Sequence, residues 1–480
     1  MGSPMDETRP IDGVTDDGTA GAETPADEGA AAAGAETAAD DGAAAAGAET
    51  PADEGAAAAG GTADGAGNGR TSWRQIIVIS AGGFVVWTGF GAILPYLPIF
   101  LQEQAHSSLF MIGLIASMLY LGTLLFASPM GWLSDQIGRK PVLVSGIALY
   151  AVATFLFTRT TDPMWFVLFR LLEGVGTAAV MPAGQAFIAD VSSEADRSKA
   201  FGLLTTAQFG GLIAGPALAP PLYHLGGGGQ GGFYLIFYFG AILSAVAAVA
   251  AFALLKEPPR RPRPAEERAE GRRLLPPRAV LLSPAVLAFL LVAFTSHIAM
   301  GGFEVIWSLY LKEIGASMTY IAATWIAFSV PMLLAFFGGV LADRYNRFLL
   351  MFVGYSISAV AWVIYGVTEN LPLFLAVNVV EGFAIAFSWP AKQAFFVQVV
   401  VRRWLGTLLG VENSSMQLAG WLGTLSAPII YGWIGGYVMA VGGVVNLLGL
   451  AIAAPILYRS YERVRHEPRG DGAVSVMGDA

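Results

Sequence analysis

The chain has 480 residues, 55% of them hydrophobic and only 13% charged, with a mean hydropathy of +0.59. Soluble domains carry about 25% charged residues, so this composition excludes an ordinary water-soluble domain. The absence of cysteine removes disulfides and thiolate metal sites, and the four histidines show no H-x-x-x-H or H-E-x-x-H spacing for a structural zinc.

The net charge of −9 combines two unlike parts. Residues 1–70 hold 15 acids and two arginines, a balance of −13, whereas residues 71–480 hold 25 bases and 21 acids, a balance of +4. The acidic part repeats a 13-residue unit from Gly21 to Ala59: GAETPADEGAAAA, GAETAADDGAAAA, GAETPADEGAAAA. With almost no large apolar side chain it cannot bury enough surface to offset its chain entropy, so residues 1–72 are expected to be a disordered tail. The tail lacks the basic start and apolar stretch of a signal peptide.

Twelve apolar segments follow, each long enough to cross a hydrocarbon core of about 30 Å. In the first half, helices are predicted at 75–101 (α1), 110–133 (α2), 141–158 (α3), 164–189 (α4), 200–222 (α5) and 233–255 (α6). No acid or base interrupts α1 from Gln75 to Gln102. α2 runs into Gly131-Trp-Leu-Ser-Asp135-Gln-Ile-Gly138-Arg139-Lys140, where Gly131 permits close helix packing and Asp135 and Arg139 sit i,i+4 at the membrane edge. α4 carries Arg170, Glu173 and Gly174, the first two on one face with Thr177 below. A charge inside the bilayer is costly and must face a cavity or a partner, so the pair is either functional or a structural ion pair fixing α4. α5 contains Gly211-Leu-Ile-Ala-Gly215-Pro216, with glycines for close approach and a proline that frees a carbonyl and bends the helix. The same pattern also reads as ordinary small-residue packing.

The segment 256–283 is proline-rich and charged, a solvated linker. Helices are then predicted at 284–310 (α7), 320–341 (α8), 348–367 (α9), 371–398 (α10), 405–433 (α11) and 437–458 (α12), with residues 461–480 as a tail. α7 places His297, Gly301 and Glu304 on one stripe, and a His/Glu stripe can pass protons. A buried histidine can equally be a hydrogen-bonded core residue. The α8–α9 turn reads Gly339-Val-Leu-Ala-Asp343-Arg344-Tyr-Asn346-Arg347. α10 keeps an acid, Glu381, but has Asn378 where α4 has Arg170. Without a built-in cation Glu381 is either a proton carrier or a neutral acid hydrogen-bonded in the core. Lys392 and Glu412, toward one end of α10 and α11, read as a gate pair or interface charges. α11 repeats the α5 pattern as Gly423-Thr-Leu-Ser-Ala427-Pro428.

The two halves echo each other at an offset of 208 residues. The turn Gly131–Arg139 returns as Gly339–Arg347, and Glu173–Val191 returns as Glu381–Val399 with nine of nineteen positions identical. A duplicated membrane bundle is the usual architecture of a secondary transporter, with the substrate path between the halves. With the N-terminus inside, 21 bases fall in cytoplasmic segments and only Arg159 and Lys312 in outer loops, so the positive-inside rule puts both termini in the cytoplasm. Trp73, Trp165, Trp404, Trp433 and Tyr458 fall near predicted span ends, where amphipathic aromatics prefer to sit.

On these motifs the chain resembles the major facilitator superfamily over residues 73–460, and within it the drug:proton antiporters. Gly131-x-Leu-Ser-Asp135-x-x-Gly138-Arg139-Lys140 is similar to the family signature between α2 and α3, departing at Gln136, where a base is common, and in the second copy at Asn346, where the first has a glycine. The resemblance implies that Asp135 lies against the start of α11, near Arg403–Gly406, and holds the inner face shut. It links Arg170 to proton coupling and the α5 pattern to antiport, although Ala219-Pro220 replaces the expected Gly-Gly. Many proton-coupled exporters of the family keep an acid in α1, which this chain lacks, so coupling is expected to rest on α4, α7 and α10.

The expected fold is an all-α membrane protein of twelve transmembrane helices in two pseudosymmetric six-helix bundles, residues 73–255 and 284–460. The expected function is secondary transport of a small molecule by alternating access, as proton-coupled efflux. The alternatives are a nutrient or metabolite importer working by symport or uniport, or a non-transporting membrane receptor. Substrate or proton coupling is assigned to Arg170, Glu173, His297, Glu304 and Glu381. Gating is assigned to Gly131, Asp135, Gly138, Arg139, Lys140, Gly339, Asp343, Arg344 and Arg347, and helix bending or packing to Gly211, Gly215, Pro216, Gly423 and Pro428. The substrate is expected between α1, α4, α5 and α7, α10, α11, and Trp87, Phe90, Tyr120, Trp325, Trp389, Met118, Met300 and Met416 can line an apolar cavity or simply pack. No enzyme activity, cofactor, metal or nucleic-acid partner is expected. The partners are the substrate, protons and the lipid of the cell membrane, and the chain is expected to be a monomer.

Overall fold

A computed structural model of the chain describes residues 71–258, 276–400 and 404–466, leaving out the side chains of residues 336, 343 and 464–466. The acidic repeats, most of the linker, Arg402, Arg403, the Asp343 side chain and residues 467–480 therefore lie outside the described residues. α1 is two segments, Trp73–Ile93 and Leu97–Glu103. α2 is Leu109–Ile137, α3 Arg139–Leu156, α4 Pro163–Val191, α5 Arg197–Leu225 and α6 Gly229–Leu254. After a single turn at Arg278–Leu281 come α7, Pro284–Glu313, and α8 in two segments, Met318–Met332 and Ala335–Arg344. α9 is Arg347–Val367, α10 Leu371–Val399, α11 Leu405–Ile434 and α12 Tyr437–His466. The only regular elements among the described residues are helices.

Ten of these helices are long and apolar enough to cross a membrane. The other two are α8, interrupted after its first 15 residues, and α11, whose 30 residues include Glu412, Asn413, Ser414, Ser415 and Gln417. At about 1.5 Å per residue, α11 is still long enough to span. Local chemistry sets the ends. Asp162 and Asn370 accept the backbone N–H groups of Met164 and Leu373 at 3.0 Å, and Ser317 accepts that of Tyr320 at 3.1 Å. Each satisfies a donor that the first helical turn would leave unpaired.

The unbroken α1 and α8 expected from hydropathy are corrected. α1 breaks over Leu94–Tyr96, where Pro95 has no N–H to continue the ladder. α8 breaks at Leu333–Leu334, immediately after Pro331. Pro216 and Pro428, by contrast, lie inside α5 and α11 without ending them.

The packing is duplicated as the sequence is. α1 packs on α5 and α6, and α7 on α11 and α12. α4 packs on α2 and α3, and α10 on α8 and α9. The halves meet along α2–α11 and along α5 with the first segment of α8, contacts that exchange under the same pseudo-two-fold. Small residues make the tightest of these contacts possible. A Cβ on Gly215 would lie 2.5 Å from the Ala92 nitrogen, and one on Gly423 would run into the Ile298 carbonyl.

The halves are closed at one end and parted at the other. Away from the α2–α3 turn, Gly113 of α2 abuts Leu425 of α11, where a Cβ would lie 2.8 Å from the carbonyl oxygen. Lys312 at the end of α7 pairs with Glu103 at the end of α1, and Tyr96 donates to the Met318 carbonyl at 2.9 Å. Toward the α2–α3 turn, a gap of about 200 Å³ separates Ala127 and Ser128 of α2 from Gly410 and Ser414 of α11. The expected close packing at Gly131 is therefore corrected: a Cβ there, or on Gly339, would meet nothing within 4 Å, because both sit at the parted end.

These contacts predict opposite outcomes for chemically identical changes. Gly423→Ala should lower stability by about 1–3 kcal/mol through overpacking. Gly131→Ala and Gly339→Ala should each stay within about 0.5 kcal/mol of the parent. Thermal unfolding in detergent checks the order, and equal melting of all three variants would contradict the packing described.

Candidate functional site

Four acids within the bundles, three of them buried and Glu304 half-buried, each meet a different partner. In α4, Glu173 pairs with Arg170 at 2.7 Å and accepts a hydrogen bond from Thr154 of α3 at 2.7 Å. Both members of the pair are buried, and Thr177 is occupied with the Glu173 carbonyl rather than the carboxylate. In the second half, Glu381 accepts from Ser358 at 2.7 Å, Trp362 at 2.6 Å and Tyr365 at 2.9 Å, all on α9. Three neutral donors replace the cation. The aromatic rings of Phe303, Trp307 and Phe374 cover that cluster. Glu412 of α11 pairs with Lys392 of α10 at 2.6 Å, and the Lys392 ammonium lies 5.0 Å from the Trp389 ring centre. Lys392 and Glu412, which the sequence offered as a gate pair or interface charges, thus form one buried pair.

The fourth acid behaves differently. Glu304 of α7 accepts a hydrogen bond of 2.5 Å from Tyr120 of α2, in the opposite bundle. Glu304 lines a cavity of about 320 Å³ between the halves, together with Trp87 and Phe90 of α1, Met181 of α4, Met300 of α7 and Trp325 of α8. It is the only acid or base among the described residues lining that cavity. Of the helices expected to line it, α1, α4, α5, α7 and α11 do. α10 does not, and α2, α3 and α8 contribute instead. Glu381 and Lys392 of α10 are instead paired with α9 and with Glu412 of α11. Of the expected lining side chains, Trp389, Met118 and Met416 are absent from the wall among the described residues.

His297 does not join Glu304. Its Nδ1 donates to the Ala293 carbonyl at 2.9 Å, and its ring centre lies 6.2 Å from that of Trp389. Gly301, between them in sequence, meets the Gly420 backbone of α11, where a Cβ would lie 2.6 Å from the carbonyl oxygen. The stripe thus splits into a cavity acid, a helix contact and a histidine on the Trp389 side.

At the parted end, Asp135 pairs with Arg139, whose guanidinium also donates to Asp190 of α4 at 3.3 Å. The Glu257 carboxylate, just past α6, accepts the backbone N–H groups of Arg139 at 2.6 Å and Lys140 at 2.8 Å, capping α3. Gly138 has φ of +117°, a conformation that suits glycine, and any Cβ there would strike that carboxylate. In the second copy Arg347 donates to the Ala342 carbonyl at 3.1 Å and to Gln398 at 3.4 Å, while Arg344 is exposed. Gln398 occupies the position of Asp190 at the 208-residue offset, so the repeat keeps the arginine and replaces the Asp190 carboxylate with an amide. Glu257, Asp190 and Thr154 are partners that the motifs did not single out. The offset itself was the available signal for two of them, since it pairs Asp190 with Gln398 and Thr154 with Trp362.

The family model described as Major Facilitator Superfamily matches residues 79–335 and 289–477. The chain belongs to this superfamily. It is 31% identical over 140 residues to Multidrug resistance protein 2 of Bacillus subtilis (strain 168), covering 29% of this chain and 35% of that one. It is 28% identical over 145 residues to Quinolone resistance protein NorA of Staphylococcus aureus (strain MRSA252), covering 30% and 37%. The matched stretch thus spans about a third of these relatives. A bacterial homolog to the human lysosomal transporter Spinster, in an inward-facing and unoccupied conformation, superposes with a TM-score of 0.67 at 16% identity, over 83% of this chain and 100% of the other. A D-xylose-proton symporter gives 0.66 at 15% identity, over 80% and 97%. These superpositions establish the fold: twelve helices in two pseudosymmetric bundles of a multi-pass membrane protein. The family and the solved neighbours are transporters.

The buried Arg170–Glu173 pair makes a distinct prediction. Arg170→Met leaves Glu173 buried without its cation and should cost about 3–5 kcal/mol, whereas the Arg170→Met/Glu173→Met double variant should recover most of that loss. Thermal unfolding of the purified variants separates the two, and a double variant no better than the single one would show that the pair is not self-contained.

Proposed function

We propose that the chain exports an apolar small molecule from the cytoplasm in exchange for protons, by alternating access. The observation that carries this reading is the cavity between the bundles, lined mostly by apolar side chains and holding one carboxylic acid, Glu304, which is tied by Tyr120 to the opposite bundle. Two relatives named for resistance to drugs and quinolones favour efflux and this class of substrate. A carboxylate in an apolar cavity attracts either a proton or the cationic or donor group of a ligand, and it cannot hold both. Competition for one group couples the two flows in opposite directions. The aromatic and methionine walls accept varied apolar shapes without specific polar contacts.

Both termini lie in the cytoplasm in this reading, so the parted end opens inward and the Glu103–Lys312 pair closes the outer side. Substrate then enters from the inside, and Asp135, Arg139 and Gly131 face the gap that must close when the bundles rock. Closure would bring Gly131 toward α11, where its missing side chain matters. Arg170 and Glu173 position α4 against α3, and Glu381 positions α9 against α10. The proton is assigned to Glu304, and His297 is a hydrogen-bonded core residue.

In proteoliposomes with an acid interior, adding lipophilic cations or fluoroquinolones outside should release protons from the lumen, and adding sugars should not. Glu304→Gln should slow the release at least about tenfold, the loss expected when one essential proton carrier is removed, while leaving thermal unfolding nearly unchanged. Uptake of a compound along with protons would replace efflux with import, and proton release by sugars alone would keep the exchange and overturn the apolar substrate class. A drug response fully retained by Glu304→Gln would remove the acid from the mechanism.

A further inference from the structure

Three side chains of the cavity wall carry a buried polar atom without a partner among the described residues: Tyr150 of α3, and Trp325 and Ser329, which share one helix. Trp325 and Ser329 lie one turn apart on the first segment of α8, and both line the central cavity. Trp325 is 6% exposed and Ser329 1%. The indole Nε1 of Trp325 and the Oγ of Ser329 have no hydrogen-bond partner among the described residues. Buried polar groups in native proteins are nearly always paired, and an exception calls for an explanation. The neighbouring buried tryptophans obey that rule: Trp307 donates to Thr324 at 2.9 Å and Trp362 to Glu381 at 2.6 Å. Trp421 of α11 also leaves its indole N–H unpaired, but away from this cavity, whereas at Trp325 and Ser329 two idle donors lie together on one stretch of the wall.

We propose that Trp325 and Ser329 form a second subsite of the cavity, one that takes an uncharged hydrogen-bond acceptor of the transported molecule. This rests on the reading of the cavity as the substrate site. An indole N–H donates and never accepts, so the ligand group opposite it must be an acceptor. The serine hydroxyl can donate to the same oxygen. A ketone, ester, amide or ether oxygen fits, and a second ammonium does not. Glu304 offers the reverse chemistry on the same cavity, since an ionised carboxylate only accepts. The two subsites select an amphiphile with a cationic or donor end and an acceptor oxygen, joined by an apolar body that lies against Phe328 and Met300. A site built to hydrogen-bond a group rejects analogues that lack it, because its own donors are then left unpaired. α8 thereby confers selectivity on a pocket whose walls are otherwise permissive.

The test uses two trimethylammonium compounds with the same aromatic skeleton, one carrying a ketone in the linker and the other a methylene. Calorimetric titration into the purified full chain in detergent measures both affinities. The parent protein should bind the ketone about tenfold more tightly, equivalent to about 1.4 kcal/mol. Trp325→Phe, which keeps a ring, and Ser329→Ala should each cut that preference to about threefold or less, with the methylene compound held within about twofold of its parent affinity. Glu304→Gln should weaken both compounds alike and keep the preference. If both compounds bind but the parent shows no preference, or if both α8 variants retain it, the subsite is overturned and the substrate cavity stands. If neither compound binds, or Glu304→Gln affects neither, the substrate reading fails and the subsite with it.

Discussion

Burying a carboxylate among apolar helices is costly unless something compensates it, and this protein compensates four of them in four ways. Glu173 has an arginine three residues away on its own helix. Glu412 has a lysine on the adjacent helix. Glu381 has three neutral donors, all from α9. In each case the partners lie within one bundle, so the interaction fastens helices that move together. Glu304 alone is held from the opposite bundle, by a single tyrosine, and it alone lines the cavity. Its surroundings must change whenever the bundles move relative to each other. The distribution of partners thus separates acids that build the bundles from the acid that can report their motion.

The backbone scaffold is common to both halves, whereas the polar partners have diverged. α1 against α5 and α7 against α11 both rely on small residues, Gly211 and Gly215 in one case and Gly423 in the other, that let helices approach to backbone contact. Van der Waals packing of this kind supplies much of helix association where no hydrophobic force acts between helices. On that shared frame Arg170 becomes Asn378, Asp190 becomes Gln398 and Thr154 becomes Trp362 at the 208-residue offset. At two of these positions the first half carries a charge that the second half replaces with an amide, and at the third one neutral donor replaces another. An identical pair of bundles would place equivalent acids on both sides of the cavity. Divergence leaves one, on α7.

The same divergence explains which sequence expectations needed the structure. The helical segments were legible because hydropathy is local, and α5 and α11 were recognisable by their glycines. The breaks in α1 and α8 were less so: the chain has prolines inside α2, α4, α5, α10, α11 and α12 that do not end a helix, so proline alone does not mark a break. Gly131 read as a packing residue, yet it lies at the parted end with open space around it. α10 is expected to line the cavity and to carry coupling through Glu381, yet that carboxylate is consumed inside the second bundle. In each case the residue type was read correctly and its neighbour was not.

By itself the sequence determined the number and approximate extent of the helices, the duplication, the family and the short list of ionisable residues able to act inside a membrane. These follow from local hydropathy, from a fixed repeat offset and from motifs whose residues are adjacent in the chain. The tertiary structure decided which acid faces the cavity, which are neutralised within a bundle, and which end of the bundles is parted. Tyr120 and Glu304 are 184 residues apart, and Glu103 and Lys312 are 209 apart. Pairings at such separations depend on how two bundles are rotated and docked, a property of packed helix faces that no local pattern encodes.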